Sequence, residues 1–376
     1  MNHPQASGID ITDLPIIPPA GGDSDLLITR LQAHLPYSLP LLRRLQCARN
    51  LPGGCTPHAH VLCASYAQEQ GEAGNGERSV VVVVVDQQQA KSKDCEEFAA
   101  AYVDLSCAPE TQCWIYSTLE DGVTTTTTGG KGGGDGVGEG DEREEDGIGL
   151  VLALLRRVRA VALAGSCQEG GGEGMSADWK GKEKEAVVLV GSLHEAIRQR
   201  LLASGVRMAK PANGPADQDW ELCDKWLFRI EDFPLPLHLP GSEEDRGWGS
   251  QIPLPEGMRW DRVQRQDLGL VLDRTDIKRR KELADGTPIA WAFMGLDGTL
   301  ISLHVEEPYR RLGLAKAVAC KLMRDHLRDY GDDGWGAADV FMMNHNSQAL
   351  CKSIGGKLSW ILSWAEIDLS SVGDPM

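Results

Sequence analysis

Residues 304–318 read HVEEPYRRLGLAKAV, and one run inside them could do chemistry: Arg310, Arg311, Leu312, Gly313, Leu314, Ala315 and Lys316. A loop that enters a helix aims several backbone N–H groups in one direction, and the helix dipole adds partial positive charge there. Small residues at 313 and 315 let a pyrophosphate approach the main chain closely. Arg310 and Arg311 supply cations beside it. The pattern R-x-x-G-x-A is short, and on its own a plain glycine turn before a helix is the better explanation of it. The neighbouring elements have to decide.

Upstream, residues 288–305 read PIAWAFMG, LDG, TLISLHV, which predicts a β-hairpin turning at Asp297-Gly298. Its second strand feeds straight into the loop. Downstream, Leu314, Val318 and Leu322 recur every fourth residue beside Ala315, Ala319, Met323 and Leu327. That spacing predicts an amphipathic helix to about Tyr330. YGDDGWGA then breaks the pattern and ADVFMM predicts a strand. NSQALCKSIGG predicts a short helix ended by Gly355-Gly356, and KLSWILSWAEIDL a last strand or strand pair.

The rest of the chain must carry this unit. Its 376 residues suffice for two or three domains, and 41% hydrophobic with 25% charged residues is the composition of a soluble globular protein. A net charge of −17 argues against a non-specific nucleic-acid binder, which needs a basic surface. Part of that charge is local, since residues 131–146 hold seven acidic and two basic side chains. The ten cysteines include no C-x-x-C pair. Their scatter suits free thiols in a reducing compartment better than a zinc site or a disulfide framework. The opening residues lack the basic and apolar regions of a secretory signal, and the longest apolar run, Val80 to Val85, reads as a buried strand. The expectation is a cytoplasmic protein, with the nucleus as an alternative and no membrane, nucleic acid or metal partner.

Residues 1–23 read as a mobile tail. A first domain over 24–245 is expected, interrupted by a disordered insertion at 122–147 that is too rich in glycine and charge to order itself. In it SDLLITRLQAHL and SLPLLRRLQCA predict helices, the second capped by Ser38. SVVVVVVD predicts a strand, CEEFAAAYVDL a helix and CWIYS a strand. IGLVLALLRRVRAVALAG reads as a helix or a helix–strand piece, followed by a flexible patch at 165–174. AVVLV predicts a strand, and Ser192 with Glu195 a capping box for the next helix. The proline-rich stretch 231–257 reads as a linker, with a second domain over 250–376.

With these elements in place, residues 286–367 resemble the GNAT acyltransferase fold. Arg310, Gly313 and Ala315 match its acyl-CoA loop, Q/R-x-x-G-x-G/A, and Val305 and Tyr309 match the strand and turn before it. Asn344, Ser347, Leu350, Ile354 and Gly355 fall on the family's N-x-x-S-x-x-L-x-x-x-L-G spacing. The whole layout is similar to the glycine N-acyltransferase-like branch, with LPYSLPLLRRLQ and LPEGMRWDRVQRQDLGLVL as its landmarks. The resemblance implies an α/β (α+β) GNAT acyl-CoA N-acyltransferase fold: a mixed twisted sheet flanked by helices, preceded by a degenerate GNAT-like N-terminal half. It implies acetyl-CoA or another acyl-CoA as co-substrate, no metal, and direct acyl transfer in a ternary complex to a small-molecule or peptide amine. Oligomeric state stays open.

The same resemblance assigns roles. Main-chain N–H groups of 311–316 would bind the pyrophosphate, and a backbone N–H in the Leu303–Val305 segment would polarise the thioester carbonyl. His304 and Glu306 are the nearest groups to take the ammonium proton, the alternative being its loss through water. Asn344 and Ser347 would face the pantetheine arm, unless Asn344 only caps its helix. The family often has a tyrosine seven residues after that Asn as general acid, and here the position holds Cys351. It either protonates the leaving thiolate or is a small buried apolar residue. Segment 275–287 is also short for the branch. These departures favour a second reading, a CoA-binding pseudoenzyme or interaction protein. A third, a nucleotide-phosphate site, lacks the G-x-x-x-x-G-K-[ST] it would need.

Overall fold

A computed structural model of the chain describes residues 9–14, 23–66, 97–123, 141–168, 187–210, 222–233, 260–264, 267, 269–270 and 288–373. The chain divides into two compact units, Met1–Pro211 with Ser363–Met376, and Ala212–Leu362.

The first unit runs β1 (Ile9–Leu14), α1 (Asp23–Ala33), α2 (Leu39–Asn50), β2 (His60–Tyr66), β3 (Phe98–Val103) and β4 (Cys113–Ser117). It continues with α3 (Asp141–Gln168), β5 (Val187–His194), α4 (Glu195–Ala203) and β6 (Met208–Ala209). Strands β1 to β4 are antiparallel neighbours in chain order. A parallel pair, β4 with β5, needs a crossover between its strands, and α3 is that crossover. One sheet face, with Phe98, Tyr102, Trp114 and Tyr116, packs on Leu31, Leu41, Leu42 and Leu45 of α1 and α2. Helix α3 packs against β1 to β4.

The second unit contains β7 (Leu222–Arg229), β8 (Ala290–Met294), β9 (Thr299–Val305), α5 (Leu314–His326), β10 (Trp335–Phe341) and α6 (His345–Ser353). Strand β11 (Lys357–Asp368) follows. The order is β7-β10-β9-β8, with only β9 and β10 parallel. Ala319, Cys320 and Met323 of α5, Cys351 of α6 and Ile354 just after it pack on Trp226, Phe228, Ala292, Leu300, Ala338 and Val340. Strand β7 follows the first unit in sequence but pairs in the second. The end of β11 belongs to the first, where Glu366 and Ile367 pair with Ala209 and Met208.

The hairpin forms as expected, with Gly298 at φ 68° and the Asp297 carboxylate accepting from the Thr299 amide and hydroxyl at 3.2 and 2.5 Å. Other expectations are corrected. CEEFAAAYVDL gives strand β3, not a helix, because all six of its strand residues are buried and a strand covered on both faces shows no alternation. Ile9–Leu14, placed in a mobile tail, is a strand paired with β2. The insertion assigned to 122–147 is shorter at its end, because α3 starts at Asp141, and α3 runs on to Gln168 through the start of the second flexible patch. IGLVLALLRRVRAVALAG is helical throughout. Helix α5 stops at His326 and is followed by a 3₁₀ turn, Leu327–Asp329. Ser38 precedes α2 but its hydroxyl donates to the Leu31 carbonyl at 2.5 Å instead of capping. The strand expected at 79–86, most of the linker at 231–257 and the short segment 275–287 lie outside the described residues.

The capping box is corrected as well. Ser192 lies within β5 at φ 53°, and Glu195 pairs with Arg198 at 2.6 Å. The cap of α4 is His194, whose Nδ1 accepts from the Ala196 amide at 3.1 Å, so the neutral ring is the capping form. Burial pushes its pKa down to about 4, with Glu195 acting in the opposite direction. The unfolded chain takes up this proton near pH 6.5, whereas the folded one resists it to about 4. Stability is therefore full above pH 6.5 and falls by about 3 kcal/mol as the pH drops to 4. Urea denaturation of the native protein and of His194→Asn across this range should show the slope flattened in the variant.

Candidate functional site

Strands β9 and β10 pair only at Ala337↔Thr299 and Ala338↔Leu300. Beyond those two pairs they part, leaving a fork whose arms are 301–305 and 339–341. An irregularity in β9 shapes one arm. Trp291↔His304 gives way to Phe293↔Ile301 across β8 and β9, so β9 carries one extra residue, and Ser302 sits there at φ 53°. A bulge of this kind re-aims backbone groups. The Glu306 amide donates to the Ile289 carbonyl at 2.8 Å on the β8 side. By the alternation of an extended strand, the Val305 amide points to the opposite edge, into the fork.

The loop leaving β9 has two left-handed residues, Arg311 at φ 66° and Gly313 at φ 79°. Gly313 is the N-cap of α5, and a side chain there meets no atom within 4 Å. The Arg310 Nε donates to the Val305 carbonyl at 3.0 Å, which pins the loop to the end of β9. A cavity of about 370 Å³ opens on this loop, lined by Val305, Tyr309, Arg310, Arg311, Gly313 and the first residues of α5, together with Leu350 and Ser353 of α6. Cations, a helix N-terminus and backbone with little side-chain cover converge on it, which is the chemistry that takes a phosphate anion. Arg311 is strained in the left-handed region, as non-glycine residues there are. Arg311→Gly keeps that backbone shape and removes one cation. The melting temperature should stay within about 3 °C while the site's affinity for inorganic pyrophosphate, read by calorimetry, falls about 3- to 10-fold.

The remaining residues expected at the site fall into two sets. His304 stacks on Trp291, ring centroids 4.5 Å apart, with its Nε2 3.8 Å from Glu306 Oε1. These two lie on the sheet face opposite α5 and α6, whereas Leu303 packs toward the helices. Asn344 caps α6, its Oδ1 accepting from the Ser347 amide at 3.1 Å. Leu312 is exposed in the loop, and Leu314, Ala315 and Lys316 form the first turn of α5. Cys351 is buried in the helix-side core. Burial pushes its thiol up to about 12, with the Asp339 charge adding to the shift. A thiol held that high is a poorer acid than the thiol whose thiolate it would protonate. Tyr309 and Ser353 line the cavity without any chemical signal in the sequence beyond their place next to the two motifs.

The first unit has its own fork, because β4 and β5 pair at Cys113↔Val190 alone. It is filled. A Cβ on Gly191 would stand 2.5 Å from Thr111 Cγ2 and 3.1 and 3.3 Å from the Trp364 and Trp114 indole nitrogens. The Trp364 indole donates to the Thr111 hydroxyl at 3.3 Å.

A parallel pair forked after two residues, a bulged strand and a glycine loop entering a helix together form a cleft able to take a phosphate-bearing donor. Residues 16–219 match the family described as the acyl-CoA N-acyltransferase verG N-terminal domain. The chain belongs to that family, and its reaction is acyl transfer from acyl-CoA to an amine acceptor. Among solved structures it is similar to a Drosophila protein at 13% identity and TM-score 0.50, covering 96% of this chain and 99% of that one. It also matches a tandem GNAT protein from the clavulanic acid biosynthesis pathway, solved without AcCoA, at 8% identity and TM-score 0.39 over 98% and 100% of the two chains. No curated protein matches by sequence.

Proposed function

We propose that the chain transfers an acetyl or other short acyl group from acyl-CoA to a primary amine by direct attack in a ternary complex. The observation that carries this reading is the fork between β9 and β10 opening beside the loop Arg310–Lys316. Pyrophosphate on the loop amides sends the pantetheine toward the fork, where the Val305 amide is placed to polarise the thioester carbonyl. His304, backed by Glu306, takes the ammonium proton, the free amine attacks, and the thiolate leaves without help from Cys351. Asn344 serves by starting α6 at the cavity edge, and Ser347 by supplying the capped amide. The filled fork of the first unit supports a single donor site and the glycine N-acyltransferase-like layout of an idle half before a working one. We place the protein in the cytoplasm.

The test is acetyl-CoA calorimetry followed by thiol release with a panel of amines and amino acids. Binding with amine-dependent release is expected. Binding without turnover on any amine would instead favour the pseudoenzyme, for which the Cys351 substitution speaks.

A further inference from the structure

The second unit buries an ion pair that acyl transfer, as described so far, does not use. Lys225 Nζ lies 2.6 Å from Asp339 Oδ1, with side-chain exposures of 0% and 5%. The two face each other across β7 and β10 in register. Ala338 and Val340 point into the helix-side core, and so do Trp226 and Phe228. Alternation therefore puts Lys225 and Asp339 on the opposite face, the one that carries His304 and Trp291. Asp339 is also the first residue of β10 past its last pair with β9, so it stands at the base of the fork.

A buried ion pair is weak evidence for stability, because desolvating two charges cancels most of their attraction, and an apolar pair of similar size does as well. Two buried charges at the point where a cationic substrate must meet a thioester therefore need another explanation. The phosphate cavity opens beside α5 and α6 on the helix side, so a donor occupies that side and the acceptor arrives from the other.

Resting on the acyltransferase reading, we propose that Asp339 binds the acceptor's ammonium group at the base of the fork, and that Lys225 holds its carboxylate in position for that purpose. The acceptor class follows: amines that are cationic at neutral pH and present an unhindered primary ammonium. Asp339 holds the ammonium beside His304, the proton passes to the imidazole, and the neutral amine attacks the carbonyl. As the tetrahedral intermediate collapses the C–S bond breaks, the nitrogen's second proton passes through water to the departing thiolate, and the imidazolium returns its proton to solvent. A carboxylate accepts several hydrogen bonds at once, so Lys225 and a substrate ammonium can share it.

The experiment compares native protein, Asp339→Asn and the double variant Lys225→Met/Asp339→Leu. Acetyl-CoA is the donor, and the nucleophiles are the best primary amine of an amino-acid and polyamine panel and hydroxylamine, which is neutral at pH 7.5. Acetyl-CoA binding is followed in parallel by calorimetry. Asp339→Asn should lose at least 100-fold in kcat/KM for the primary amine and less than about 5-fold for hydroxylamine, with acetyl-CoA affinity unchanged. The double variant, with no charge left unpaired, should fold and show the same contrast. Turnover of the primary amine retained in either variant, or equal losses with both nucleophiles, overturns the proposal while leaving the acyltransferase reading intact. Absence of acetyl-CoA binding to the native protein removes both.

Discussion

Gly313→Asp is expected to leave the fold intact and to weaken acyl-CoA binding by about 100- to 1,000-fold. Gly313 is the N-cap of α5 at φ 79°, with open space where a side chain would go. Aspartate is among the residues best able to adopt that backbone and to cap a helix, so the substitution does little to stability. Its charge, however, lies where the loop amides present themselves to a phosphate. Two like charges about 5 Å apart at an effective dielectric of about 20 repel by about 3 kcal/mol, which gives the expected loss. Gly313→Ala carries the backbone strain without the charge and should bind within about 10-fold of native. Calorimetry with acetyl-CoA, beside melting curves, separates the two. If Gly313→Asp binds as the native protein does, the loop is an ordinary turn.

The second large effect falls on turnover. His304→Gln should lower kcat by about 10²- to 10⁴-fold, the usual worth of a general base, while acyl-CoA affinity stays within about 2-fold. The imidazole stacks on Trp291 and faces Glu306, and neither contact reaches the loop proposed to hold the donor. A kcat within about 3-fold of native would mean that the proton leaves by water. Glu306→Gln is expected to have the smaller effect, because it acts through the ring it faces.

The sequence made the elements of the proposed donor side legible because its signals are local. An Asp-Gly hairpin, a glycine before an amphipathic run and an Asn that caps α6 are each read within a few residues, and the structure shows these elements where the pattern put them. The proposed acceptor side was not legible in that way. The bulge at Ser302 leaves no mark on composition, yet it sets which residues of β9 face which side. Lys225 and Asp339 lie far apart in the chain and meet only because β7 pairs with β10 in the second unit. No periodicity reports a pairing of that kind. β3 was misread for the opposite reason: FAAAYV is apolar on both faces, so a run that a helix also satisfies had nothing local to break the tie. Spacing singles out Cys351, but only its burial among Ile354, Val340 and Trp226 shows what surrounds the thiol.

The central claim is direct transfer at one forked site, and two-substrate kinetics tests it most closely. Initial rates should be measured over a grid of acetyl-CoA and amine concentrations, with free thiol and N-acetylated product counted together and the protein's mass recorded during turnover. Lines that intersect, one thiol per acylated amine and a protein of unchanged mass are the predicted result. Parallel lines with an acetylated protein, or thiol release indifferent to the amine, would contradict it.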